Sequence, residues 1–127
     1  MTNKNKILLI DDLDAIRDMV SARLRLKGFE ITKASDGDEA LALLKSKPKE
    51  FDLVVSDYDM PNMNGLELLE QVRSTPTLRN LPFIMLTSRA EPEKMKSAKE
   101  IGLSAWVKKP FKMDSFLSQI SYAIEKA

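Results

Sequence analysis

Five short stretches rich in apolar residues divide the chain: Lys6–Ile10, Phe29–Ala34, Leu53–Val55, Phe83–Leu86 and Ala105–Val107. Stretches of this length, bounded by turn residues, predict strands, and the third reads as one buried on both faces. The third is the most sharply bounded. It carries no charge between Asp52 and Asp57, and Pro61, Asn62, Asn64 and Gly65 then make a loop. Between the strands, apolar residues recur at helical spacing. Ile16, Val20 and Leu24 predict a helix over Leu13–Lys27 that stops at Gly28. Ser35-Asp36-Gly37-Asp38 reads as a turn and cap opening a helix through Ala40, Leu41 and Leu44, which ends before Pro48. Leu66, Leu69 and Val72 mark a third helix, stopped by Ser74-Thr75-Pro76, and Pro92–Ile101 a fourth, followed by Gly102. That fourth helix has the thinnest apolar face, Met95, Ala98 and Ile101. Phe116, Leu117, Ile120 and Ile124 mark the last helix.

Five strands alternating with five helices, without linker or repeat, imply a parallel sheet covered on both faces. Right-handed crossovers leave few doubly wound arrangements, of which the flavodoxin-like order 2-1-3-4-5 is the commonest for five strands. In that order the first and third strands are neighbours. Their carboxyl ends bring Asp11, Asp12 and Asp57 together, and the fourth and fifth strands add Thr87 and Lys109. This edge is where open α/β sheets bind ligands.

Composition narrows the chemistry. The 127 residues suit one domain with a single core, and 43% apolar with 31% charged residues argues against disorder. A net charge of +1 gives no bulk field for nucleic acid or membrane. Without cysteine or histidine there is no disulfide framework, no zinc site and no Ser-His-Asp catalysis. The leading MTNKNK is polar and the ILLI behind it is too short for a membrane span, so residues 1–5 are expected to be a flexible lead-in to a soluble, cytoplasmic domain.

Three carboxylates at one edge repel one another unless a cation is present. Oxygen-only donors favour a hard ion, and Mg²⁺, completed by water and phosphate, fits better than Ca²⁺. A Lys ammonium and a Thr hydroxyl at the same edge suit a phosphoryl group, with Asp57 as a possible nucleophile forming an aspartyl phosphate. Taken singly, Asp11 and Asp12 would read as turn formers or helix caps, as Asp14 and Asp52 still do. Thr87 alone would be a strand residue, Lys108 a solvated side chain and Trp106 core. Joint placement at the ends of separate strands favours a site.

At these residues the chain resembles the receiver domain of two-component response regulators, most like the single-domain chemotaxis type. The matching motifs are the acid pair of ILLIDD, SDYDMPNMNG, MLTS, WVKKPF and SDGDEAL, and the resemblance spans residues 5–126. It implies that Asp57 is the phosphoacceptor, charged from a phosphohistidine of a histidine kinase or phosphotransfer protein. It implies that Asp12, Asp57 and the backbone carbonyl of Asp59 bind Mg²⁺, with Asp11 acting mainly through water. Thr87 and Lys109 would contact the phosphoryl group, and the Lys109–Pro110 bond would be cis. The chain departs from the family pattern at Asn64, where Asp is common, and at Trp106, where the switch aromatic is usually Tyr or Phe. Asp59 and Arg89 occupy the positions at which the family tunes dephosphorylation, so the phosphate lifetime does not transfer.

Two other functions fit parts of the pattern. Asp57 and Asp59 form a DxD after an apolar strand, as in haloacid-dehalogenase-like phosphatases, but that motif belongs on the first strand, and there is no room here for a cap domain. A receiver-like module that no longer uses phosphate is the other. Under the receiver reading the chain is not an enzyme beyond its own phosphorylation and autodephosphorylation. Its output would be protein contact through the Arg89–Lys112 segment, where Arg89, Lys94, Lys96, Lys99, Lys108, Lys109 and Lys112 outnumber Glu91, Glu93 and Glu100. Neither membrane nor direct nucleic-acid binding is expected.

Overall fold

Side chains alternate across a strand, and in this protein the alternation sorts the core into two halves. The computed structural model describes residues 5–126. Its elements are β1 (Lys6–Ile10), α1 (Asp14–Leu26), β2 (Glu30–Ala34), α2 (Gly37–Ser46), β3 (Leu53–Ser56), α3 (Gly65–Ser74), β4 (Phe83–Thr87), α4 (Pro92–Ile101), β5 (Ala105–Lys108) and α5 (Met113–Glu125). The strands form one sheet in the order β2-β1-β3-β4-β5, every neighbouring pair parallel. The fold is the doubly wound α/β arrangement expected from the alternation. Leu8, Ile10, Val54, Phe83 and Met85 pack on one face with Ala40, Leu44, Leu68, Leu69 and Val72. Ile7, Leu9, Leu53, Val55, Ile84 and Leu86 pack on the other with Val20, Leu24, Phe116 and Ile120. Among the described residues no helix is long and apolar enough to cross a membrane.

Helix ends follow local chemistry. Asp36 caps α2 by accepting from the Glu39 N–H at 2.8 Å. Asn64 caps α3 in a reciprocal pair: its side chain accepts from the Glu67 N–H at 2.8 Å, and the Glu67 carboxylate accepts from the Asn64 N–H at 3.0 Å. Gly102 ends α4 at φ 117°, a left-handed conformation that favours glycine. Of the two roles expected of Asp14 and Asp52, turn former or helix cap, the second is not met, since neither caps a helix. Leu13 stands at the α1 N-cap, so Asp14 lies one residue inside and pairs with Arg17 at 2.6 Å. Asp52 lies beside the start of β1, where its carboxylate accepts from the Lys6 N–H at 2.9 Å. Residues 1–4 of the expected lead-in lie outside the described residues. Asn5 is held, its carbonyl accepting from the Glu30 N–H at 2.9 Å and its side chain donating to the Gly28 carbonyl at 3.1 Å.

The β5–α4 edge is the lightly anchored side. Ala98 is the one fully buried residue of α4, and no residue of β5 is fully buried, whereas β3 and β4 are buried throughout. An edge with few buried apolar contacts is the part of a fold that moves at least cost.

Candidate functional site

Strand register builds the site. β1 and β3 pair with Ile10 opposite Ser56, so the residues that follow, Asp11 and Asp57, leave the sheet side by side. The Asp57 N–H extends the ladder by one bond, donating to the Ile10 carbonyl at 3.0 Å. On the other flank Thr87 pairs with Lys108, and the Lys109 N–H donates to the Thr87 carbonyl at 2.8 Å, which brings the Lys109 side chain over the edge. Gly65 makes room beneath the loop after β3: a Cβ there would stand 2.5 Å from the Asp57 carbonyl oxygen and 2.6 Å from Met85 Sδ. Its own N–H donates to the Tyr58 carbonyl at 2.7 Å.

The carboxylates meet one ammonium group. Asp11, Asp12 and Asp57 each offer an oxygen, all within 4.8 Å of one another. Asp11 is 4% exposed, so its charge needs compensation. It accepts from the Leu13 N–H at 3.0 Å through Oδ1 and from Lys109 Nζ at 2.8 Å through Oδ2. The same ammonium lies 3.6 Å from Asp57 Oδ2, while Asp57 Oδ1 accepts from the Tyr58 N–H at 2.7 Å. Asp12 is exposed. One fixed cation therefore reaches two of the three anions, Asp11 and Asp57, and a hard divalent ion fits the remaining deficit of charge. Thr87 is fully buried, and its hydroxyl oxygen accepts from the Arg89 N–H at 3.2 Å.

Over the rim, Arg89 grips Asp59 through Nη2 at 2.6 Å and Nε at 3.3 Å, and it also pairs with Glu91. The hydrogen bond it donates to Asp59 holds the Arg89 guanidinium above the ordinary arginine range, with desolvation opposing it. Arg89 also lies over the Tyr58 ring, 5.0 Å from its centroid, with Lys94 Nζ at 5.5 Å. Trp106 is half-buried; its ring centroid lies 5.9 Å from that of Tyr58 and its Nε1–H donates to the Arg89 carbonyl at 3.0 Å. It faces α4 as strand alternation predicts, lining a groove of about 340 Å³ with Met95, Lys99 and Leu103. The Lys109–Pro110 bond is cis.

Sequence reasoning passed over three features. Tyr58 is 4% exposed and joins Arg89 to Trp106; its one signal was an aromatic residue directly after Asp57. Asn64 does structural work as a helix cap, although the cap-then-Glu pattern with Glu67 was present. An apolar groove of about 510 Å³ runs from Leu13, Ile16 and Met19 past Pro110 and Phe111 to Asp57. No local signal marks it, because it assembles from segments far apart in the chain. The basic segment is also weaker than its residue count: Lys109 turns into the site and Arg89 is engaged by Asp59 and Glu91. Lys96, Lys99, Lys108 and Lys112 are left exposed.

Known proteins resemble the chain in sequence and in fold. The family model described as response regulator receiver domain matches residues 7–121. The chemotaxis protein CheY-3 of Vibrio cholerae is 37% identical over 126 residues, covering 98% of this chain and 95% of that protein. The chemotaxis protein CheY of Pseudomonas aeruginosa is 36% identical, covering 95% of this chain and 97% of that one. Among solved structures, the V. cholerae chemotaxis protein CheY4 superposes with a TM-score of 0.86 at 36% identity, over 95% of this chain and 99% of that one. A response regulator receiver domain protein from Clostridium thermocellum reaches 0.88 at 27% identity, over 96% and 95% of the two chains. Matching in fold, in sequence and along nearly its whole length, this chain belongs to the response regulator receiver domain family.

Proposed function

We propose that the chain is a phosphorylation-dependent signalling switch that takes a phosphoryl group onto Asp57. The observation that carries this reading is the shared ammonium: Lys109 Nζ lies 2.8 Å from Asp11 and 3.6 Å from Asp57, beside an edge with three convergent carboxylates. Asp57 Oδ2 is the candidate nucleophile, since Oδ1 is already engaged by the Tyr58 N–H. Its attack forms an O–P bond to a phosphohistidine of a kinase or phosphotransfer protein as the P–N bond breaks, and the imidazole nitrogen leaves with the electron pair. Asp11, Asp12 and Asp57, with the backbone carbonyl of Asp59, would hold Mg²⁺, which supplies charge neutralisation for the transferring group. Lys109 contributes the fixed positive charge, and the Thr87 hydroxyl, buried at the next strand end, would donate to a phosphoryl oxygen.

The signal would leave through the lightly anchored edge, where β4 carries Thr87, β5 carries Trp106, and α4 presents Lys96 and Lys99 to an output protein. The chain turns over no external substrate on this reading and acts in the cytoplasm. Intact-mass measurement after incubation with acetyl phosphate tests it. One phosphoryl adduct is expected with Mg²⁺, none with EDTA and none in Asp57→Asn. An adduct that survives the substitution at equal yield overturns the assignment.

A further inference from the structure

Helix α1 has two apolar faces, and only one is used by the fold. Val20, Ser21 and Leu24 are buried against the sheet. On the solvent side Ala15, Met19, Ala22 and Leu26 follow at spacings of four, three and four, and all four are exposed. Met19 is 42% and Leu26 86% exposed, and with Leu13 at the cap, α1 accounts for three of the four large apolar side chains left exposed among the described residues. The spacing is that of a helix-pairing seam.

We infer that a second copy of this chain covers the seam, the two α1 helices packing antiparallel about a two-fold axis. Large and small residues alternate so that the seam complements itself. With the helices reversed, Leu26 of each copy lies over Ala15 of the other, and Met19 over Ala22. Charge selects the same orientation. On its solvent side the helix carries Asp14 and Asp18 in its first half and Arg23 and Arg25 in its second, while Arg17, in the first half, is turned inward to Asp14 and the Asp11 carbonyl. Reversal sets Asp18, on the flank of the seam, opposite Arg25 of the second copy, twice by symmetry, and opposes the two helix dipoles. A parallel pair would set acid against acid and base against base. In the single chain Asp18 pairs with Lys33 at 2.9 Å and Arg25 donates to the Ile31 carbonyl, yet the Asp18 side chain remains 60% exposed and available. Met19 belongs both to this seam and to the groove reaching Asp57, so pairing narrows the approach to that groove.

A helix of 13 residues offers a seam roughly 20 Å long, well under the area of a standard stable interface, so the dimer is weak and reversible. Sedimentation velocity of the full chain from about 20 µM to about 1 mM spans the range in which such a pair forms. The weight-average mass of the wild type is expected to rise from monomer towards dimer. Asp18→Arg, Arg25→Asp and Ala22→Glu, each at an exposed position, are expected to stay monomeric throughout, and the double variant D18R/R25D, with the pair reversed, is expected to regain the wild-type rise. A wild type monomeric at every concentration overturns the proposal and leaves the seam to a helix of another protein. Single variants that associate as the wild type does, or a double variant that fails to recover, overturn it as well.

Discussion

The indole N–H of Trp106 donates to the backbone carbonyl of Arg89, 3.0 Å away and on the neighbouring strand's exit loop. That bond ties the aromatic residue of β5 to the loop that follows Thr87. It also satisfies the polar end of an otherwise apolar side chain, and inward movement would have to surrender it. An unpartnered buried donor costs about 1–3 kcal/mol, and forcing an indole into a filled core about as much again.

Trp106 is therefore expected to stay half-buried in the activated state. It is the sole tryptophan, so its emission reports on itself. Emission and acrylamide quenching should differ little between Mg²⁺ alone and Mg²⁺ with beryllofluoride. A large blue shift with loss of quenching in the activated sample alone would mean full burial.

Arg89→Ala removes the grip on Asp59, the cation over Tyr58 and the pair with Glu91, but leaves the carbonyl that holds Trp106. Charge and bulk over the site change while the core does not. The phosphate lifetime on Asp57 is expected to change several-fold, with the melting temperature moving by no more than ~4 °C, as for ion pairs at a solvated rim. An unchanged lifetime with a lowered melting point would make the side chain structural.

Asp12→Ala and Lys109→Ala should separate in calorimetric titration with Mg²⁺. Asp12 is an exposed oxygen donor of the carboxylate cluster, so its loss is expected to weaken binding by about tenfold or more. Losing Lys109 removes a cation that competes for Asp11 and Asp57, so Mg²⁺ should bind as well or better while phosphorylation no longer alters partner binding. Weakened Mg²⁺ binding in Lys109→Ala would contradict this.

Asn64→Ala should cost about 1 kcal/mol, the usual worth of a helix cap, read as a lowered melting temperature. Asn64→Asp should be neutral, since Asp accepts the same Glu67 N–H and suits a helix N-terminus. That equivalence explains why the departure from the family pattern at Asn64 leaves the loop intact.

Gly65→Ala is expected to be worse than its small volume suggests. The added methyl meets a backbone oxygen of Asp57 itself, at 2.5 Å, as well as Met85 Sδ. A loss of about 1–3 kcal/mol is expected from the overlap. Acetyl phosphate labelling should fall with it, because relief of the clash moves Asp57.

Strand and helix positions were legible because each had its own period. The burial of β3 and β4, the Asp36 cap and the turn at Gly102 all follow from local sequence. The convergence of Asp11, Asp12, Asp57 and Lys109, with Thr87 at the end of the next strand, followed from strand order once the flavodoxin-like wiring was chosen. What stayed hidden depends on side chains from distant segments. Tyr58 between Arg89 and Trp106, the groove from α1 to Phe111, and the loss of Lys109 from the basic face have no signature within any one window.

The pairing of Ile10 with Ser56 has a consequence for errors in folding. The period of a strand is two, so a slip of one residue would send Leu8 and Ile10 into the half of the core built for Ile7 and Leu9. The same slip would carry Asp11 away from Asp57. Packing and chemistry are thus proofread by one alignment: a chain that has misplaced β1 cannot linger as a stable but silent decoy, because the error that disables it also unmakes its core.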